Sequence, residues 1–255
     1  MRLRLSLLLI AATTPGCLDG GGGELVTIFA AHHASPRDGM FPDYGEDLQP
    51  RVFDLEDGWQ LTLAESYVTI ASTTLVSCSG QEHEMRMFWG PCPEDLRRAD
   101  LEVLTVSGNK VPAGDYCELR VQYAPYEMPV IDDETDTRHL IPTLDDVEGD
   151  SIFLRGVAQR DGNEDDAVQF QLENGEDFVV SLDLSNLEGE GNALTIREGQ
   201  DFPTELTVTK TYDRFFDGVD WESFDEAALT DTIDEILADQ TRVTRGLSIS
   251  PSLYD

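Results

Sequence analysis

The stretch CSGQEHEMRMFWGPC, Cys78 to Cys92, holds the densest chemistry of the chain. His83, Met85 and Met87 stand at every second position. Side chains of an extended strand alternate between faces, so all three fall on one side. An imidazole and two thioethers are soft ligands suited to Cu(I), and Cys92 is near in sequence. The same side chains would equally fill an irregular gap in a core, where methionine packs adaptably. His32 and His33 form a second cluster, with Met40 beyond. Two acidic stretches have hard-cation character. Asp161-Gly-Asn163-Glu-Asp165 opens like a calcium loop, but Asp166 stands where glycine is needed and Leu172 where the twelfth-position glutamate belongs, so it fails as an EF-hand. The run DDETD, 132–136, has the composition of a loose cation site and also that of a solvated loop. Hydrolase signatures such as Gly-x-Ser-x-Gly and His-Glu-x-x-His do not occur in the chain. A Ser/His/Asp triad would have to assemble in space from His32, His33, His83 or His139. With four histidines and no supporting motif, a non-enzymatic role is expected.

The elements that must position these residues are mostly strands. Trp59, Leu61 and Leu63 alternate with polar neighbours, and Val68, Ile70, Val76 and Cys78 continue on one parity. Cys117, Leu119, Val121 and Tyr123 repeat the pattern, as do Val168, Phe170 and Leu172, then Phe178, Val180, Leu182 and Leu184, then Leu206 and Val208. Turn signals separate the runs: Gly108-Asn109, Asp161-Gly162, Asn174-Gly175 and Gly189 to Gly191. Short alternating strands with such punctuation predict a mainly β fold, an antiparallel β-sandwich over 25–215. From Ser223 the period changes. Ser223 and Glu226 have capping-box spacing, and Leu229, Ile233, Ile236 and Leu237 share one helical face. A C-terminal helical segment and tail, 216–255, is therefore expected to pack on the sandwich. Residues 34–50, with three prolines, and the acidic stretch Asp132 to Asp150 read as loops.

Parity also bears on the cysteines. Cys78 and Cys117 share strand faces with apolar residues and are expected to point inward, whereas Cys92, between Pro91 and Pro93, is expected in a loop. This favours a disulfide between Cys78 and Cys117, with Cys78–Cys92 the other pairing, since spacing alone does not fix connectivity.

Charge excludes one class of partner. The chain carries 51 acidic and 17 basic residues, a formal net charge of -34. Such a surface repels nucleic acid and anionic lipid. Only Lys110 and Lys210 are lysines, and the acids are spread along the chain rather than gathered in one block. Dispersed acidity of this kind keeps a protein hydrated in salt. Capture of cations or of a basic partner is the other reading.

The start of the chain addresses location. MRLRLSLLLIAA has a basic beginning at Arg2 and Arg4 and an apolar segment, Leu5 to Ala12, too short to span a bilayer; Gly16 and Cys17 follow, then the run Gly20 to Gly23. This stretch, 1–17, resembles bacterial lipoprotein signals, which implies cleavage after residue 16, acylation of Cys17, and a membrane anchor through that residue. Residues 17–24 then act as lipidated cysteine and flexible tether. In that family an Asp directly after the cysteine holds the protein at the inner membrane. Here Leu18 follows it, which implies an outer-membrane lipoprotein of the cell envelope. Cleavage would leave a net charge of about -36, from 15 basic and 51 acidic residues.

Two further stretches, DGWQLTLAESYVTIASTTLVSC at 57–78 and VPAGDYCELRVQYAP at 111–125, resemble uncharacterised secreted bacterial β-proteins, similar to the copper-binding proteins of the metallo-mystery-pair kind. That resemblance implies copper held by His and a modified Trp, with no ligand position carried over to this chain. The expected function is a lipid-anchored, non-catalytic binding or structural module for an envelope protein or ligand, without cofactor. The alternative is a periplasmic copper-binding protein that uses His83, Met85 and Met87.

Overall fold

The computed structural model describes residues 22–55, 58–127, 147–160 and 163–254, with the side chains of 163–166 and 253 left aside. Among the described residues the chain is mainly β. The strands are β1 (Glu24–His33), β2 (Arg51–Asp54), β3 (Trp59–Ser77), β4 (Glu82–Met87), β5 (Cys92–Asp95), β6 (Leu104–Val111), β7 (Gly114–Tyr123), β8 (Ile152–Arg160), β9 (Asn163–Asn174), β10 (Phe178–Asp183), β11 (Leu194–Ile196), β12 (Thr204–Thr211) and β13 (Thr241–Arg245). Their pairing joins all thirteen into one sheet, whose main path runs β10-β7-β3-β4-β6-β1-β12-β13. The sheet curls, so that β10 and β13, at opposite ends of that path, come into contact. The expected division into two facing sheets thus resolves into one curled, open sheet wrapped about a core. Pairing is antiparallel except for β1 with β12, which run parallel and place His32 beside Lys210.

The 19-residue β3 is the spine, pairing with β2, β4, β5, β7 and β8 along its length. It sustains this by changing parity. Trp59, Leu61 and Leu63 face the core; after irregularities at Leu63/Glu65 and Ile70/Ser72 the inward set becomes Val68 and Ile70, then Thr73 and Leu75. Each bulge inserts a residue and flips the side chains that follow. The assumption of unbroken parity fails here: Cys78 ends exposed just past the strand, and Cys117 is only half-buried. Cys92 departs in the other direction. It starts β5, pairs with Ile70 and is a buried free thiol.

One turn expectation also changes. Gly108-Asn109 lies within β6, and the reversal comes at Pro112-Ala113 before Gly114. Gly108 is there for space. A Cβ at that position would stand 3.0 Å from the Phe88 ring and 3.0 Å from the Val26 carbonyl oxygen.

The C-terminal segment is helical but broken. A 3-10 turn, Trp221–Ser223, is capped by Asp220; α1 (Glu226–Thr230) is capped by the Asp225 carboxylate, which accepts from the Ala228 amide, so Ser223 is not the capping residue. α2 (Ile233–Asp239) follows after the Thr232 hydroxyl turns back to the Ala228 carbonyl. Leu229, Ile233 and Leu237 are buried as the period predicts. The chain then re-enters the sheet as β13, so 216–255 is not solely a helical appendage. No helix of the described residues is long and apolar enough to cross a membrane.

Candidate functional site

The structure places His83, Met85 and Met87 on the same, inward face of β4, as their spacing requires. Met85 is a core residue at 1% exposure, and Met87 packs against the core from its edge. His83 lies half-buried with its ring 5.7 Å from that of Tyr116, in a hollow of about 320 Å³ that also touches Cys78 and Gln81. The three therefore share a face at different depths. The disulfide Cys78–Cys117 is formed and ties the end of β3 to β7. Cys92 does not approach His83: it opens β5, and burial together with Glu94 pushes its thiol up to about 11, which keeps it protonated. Cys17, residues 132–136, His139 and 161–162 lie outside the described residues.

A buried polar cluster, whose carboxylate no sequence motif announces, joins β1, β5 and β12. Glu94 on β5 takes a hydrogen bond from His32 Nδ1 at 2.9 Å, and its other oxygen is 2.6 Å from Lys210 Nζ. Lys210 has no exposed surface, and Glu94 almost none. Burial opposes the charge on Glu94, yet Lys210 and His32 overcome it and hold the carboxyl at about 2. Lys210 is likewise held above its ordinary value, because Glu94 outweighs its burial. Nearby, Arg51 is fully buried; it donates to the carbonyls of Gly45, Leu96, Arg97 and Arg98 and stands 3.5 Å from Asp100, which also receives the Tyr212 hydroxyl. The Arg51 contacts clip the loops at 44–50 and 96–102 to the sheet, while Asp100 Oδ1 has the ion pair with Arg51 and no hydrogen bond. His33 differs: its Nδ1 donates to the Ala34 carbonyl, its Nε2 meets no partner, and it lies between the rings of Phe41 and Tyr254. Burial lowers its pKa to about 4. No group of three or more His, Cys, Asp and Glu is placed to hold a metal ion among the described residues.

A cleft of about 550 Å³ lies at the start of β3. Trp59 opens β3 and pairs across the strands with Arg160, the last residue of β8, whose guanidinium sits 5.1 Å from the Trp59 ring centre. Arg160 reaches over to Glu222 at 2.6 Å. Trp221 stacks on Phe224 at 4.9 Å and faces Trp59 at 6.4 Å, and Phe216 closes the apolar wall. Asp217 and Asp220 stand on the rim. Asp217 is paired with Arg214, and Asp220 caps the 3-10 turn that carries Trp221. A second hollow of about 310 Å³ shares Trp59, Arg160, Trp221 and Glu222. Aromatic residues 162 positions apart (221 − 59) build this cleft, so no local motif could flag it. The available signal was the run DGVDWESFD, where turn-forming acids bracket Trp221 and Phe224.

A curled β-sheet with a short helical C-terminal segment defines the class. No family model and no curated protein matches the sequence. Among solved structures, the fold is similar to MbnP from Methylosinus trichosporium, with 10% sequence identity and a TM-score of 0.50 over 88% of this chain and 99% of that one. At that identity the likeness is one of fold.

Proposed function

We propose that this chain is a lipid-anchored envelope module, without catalysis of its own, that binds a ligand in the Trp59–Trp221 cleft. The observation that supports it is the cleft's make-up: a mainly polar hollow over the nearly buried Trp59, Trp221 and Phe216, in which three carboxylates accompany one guanidinium. Concave sites where a few polar groups converge are the usual form of a small-ligand site. A cationic ligand would take the place of Arg160, whose guanidinium already lies on the Trp59 ring and on Glu222. The remaining carboxylates favour such a positive group. Phenylethylammonium tests this, with phenylacetate as the control of equal shape and opposite charge. A saturating change of tryptophan emission with the ammonium alone, weakened in Glu222→Gln, is expected. Equal response to both probes, or to neither, would remove the reading.

Copper binding is the second reading. The shared inward face of His83, Met85 and Met87 favours it, together with the resemblance of 57–78 and 111–125 to metallo-mystery-pair proteins. Copper retained after purification from copper-supplemented cells, and lost in His83→Ala, would support it.

A further inference from the structure

We infer that the end of the sheet nearest Cys17 is a membrane-docking rim, formed by Leu25, Phe202 and Leu247, that seats on a zwitterionic phospholipid surface. The inference rests on the lipid-anchor reading above. Its structural side is the convergence of three exposed apolar side chains. Phe202 is 81% exposed, Leu247 43% and Leu25 42%. Leu25 lies at the start of β1. Phe202 precedes β12, which runs parallel to β1 and begins beside it, Thr204 pairing with Val26. Leu247 follows β13, whose last residue, Arg245, pairs with Leu206 near the start of β12. All three therefore belong to one end of the sheet.

The segment carrying Phe202 is fastened to that end. The Gly199 amide donates to the Glu24 carboxylate at 2.6 Å, the Gln200 side chain donates to the Thr204 hydroxyl at 3.0 Å, and Gly199 takes the left-handed conformation that turns the chain. At 81% exposure, Phe202 faces water at the tip of a braced loop, and among the described residues no ring packs on it.

Tether length identifies what covers it. Six residues lie between Cys17 and Glu24, seven Cα-to-Cα steps (24 − 17), so even fully extended they reach about 25 Å. A domain of this size has a radius of gyration of about 17 Å. An acylated Cys17 therefore keeps the β1 end against the bilayer and cannot bring the far end there. At this end, over 24–26, 109–113, 197–205 and 245–248, Arg245 is paired with Glu188, and Lys110 and Arg197 are the other basic side chains. Aromatic side chains favour the headgroup boundary. Because Ser77 lies at the docked end of β3 and Trp59 at its other end, docking turns the Trp59–Trp221 cleft away from the membrane.

The test uses the full chain, expressed with its signal in a bacterium that processes lipoproteins, and carrying Phe202→Trp. The protein is reconstituted in dioleoylphosphatidylcholine vesicles, with and without phosphatidylcholine brominated on its acyl chains. Relative to the parent, which supplies the background of Trp59, Trp89 and Trp221, the added emission should be blue-shifted in vesicles and mostly lost with brominated lipid. Protein that floats with the vesicles while the added emission is unquenched would overturn the docking rim and leave the anchor standing. A parent that fails to float, like its Cys17→Ser control, would overturn the anchor and the rim with it. Cross-linking of Phe202→Cys to a second copy on vesicles, with no quenching of Phe202→Trp, would also overturn it in favour of a dimer contact.

Discussion

At the scale of single residues, the least expected feature is the fully buried ion pair of Lys210 and Glu94, with His32 on the second carboxylate oxygen. Removing one partner leaves a charge in a medium that solvates it poorly. Lys210→Met is therefore expected to cost about 3–5 kcal/mol, while replacing both partners by apolar residues, Lys210→Met with Glu94→Leu, restores much of that loss. Denaturant midpoints at neutral pH measure both. The sign of the pH dependence follows from Glu94. Its folded pKa of about 2 lies below the ordinary 4.5, so its stabilisation is full above pH 4.5 and is lost as pH falls towards 2. The double variant should lack that part of the acid slope; an unchanged slope would show that Glu94 is not charged in the fold. Little of this was legible in the sequence. His32 stood out as one of a histidine pair, and Lys210 as one of two lysines. Glu94 is one acid among 51 and lies 62 residues from His32. The pairing of β1 with β12 sets His32 beside Lys210, and the pairing of β5 with β3, on a sheet that curls, carries Glu94 to them.

Elements were more legible than contacts, because periodicity is a local property and closure of the sheet is not. The alternating runs at 117–123, 178–184 and 206–208 became β7, β10 and β12, and Leu229, Ile233 and Leu237 became the buried side of two short helices. The failures have one cause in common. A bulge flips a strand without leaving a residue signature, which is why Cys78 and Cys117 pair as expected yet lie at the sheet margin instead of inside it. Gly108 shows the complementary error, a glycine read as a turn that serves close packing. Gly108→Val is expected to destabilise by about 1–3 kcal/mol through overpacking, since the Val26 carbonyl cannot withdraw from the new Cβ. Adding Phe88→Ala should recover only the part owed to the ring. Full recovery would mean that the backbone contact is immaterial, and thermal denaturation of the two variants separates the cases.

For the molecule as a whole the dominant quantity is charge. A formal net charge of -34 is carried by a chain whose bases are largely engaged: Arg51, Arg97, Arg120, Arg155 and Lys210 all sit in ion pairs with acids. What remains is an excess of carboxylates distributed around one compact sheet, and folding brings them closer together than the unfolded chain does. Their repulsion acts over the Debye length, about 30 Å in 0.01 M salt and about 10 Å in 0.1 M. The first distance is comparable to the domain itself; the second is not. Self-repulsion should therefore weigh on the folded state at low ionic strength and fade as salt is added. The expected result is a melting temperature that climbs steadily from 0.01 M upward, with sodium and potassium chloride equivalent. Calcium added at fixed ionic strength should contribute no saturating step. A rise of several degrees at micromolar to millimolar calcium, which monovalent salt fails to reproduce, would instead assign the acidity to specific binding of a divalent ion.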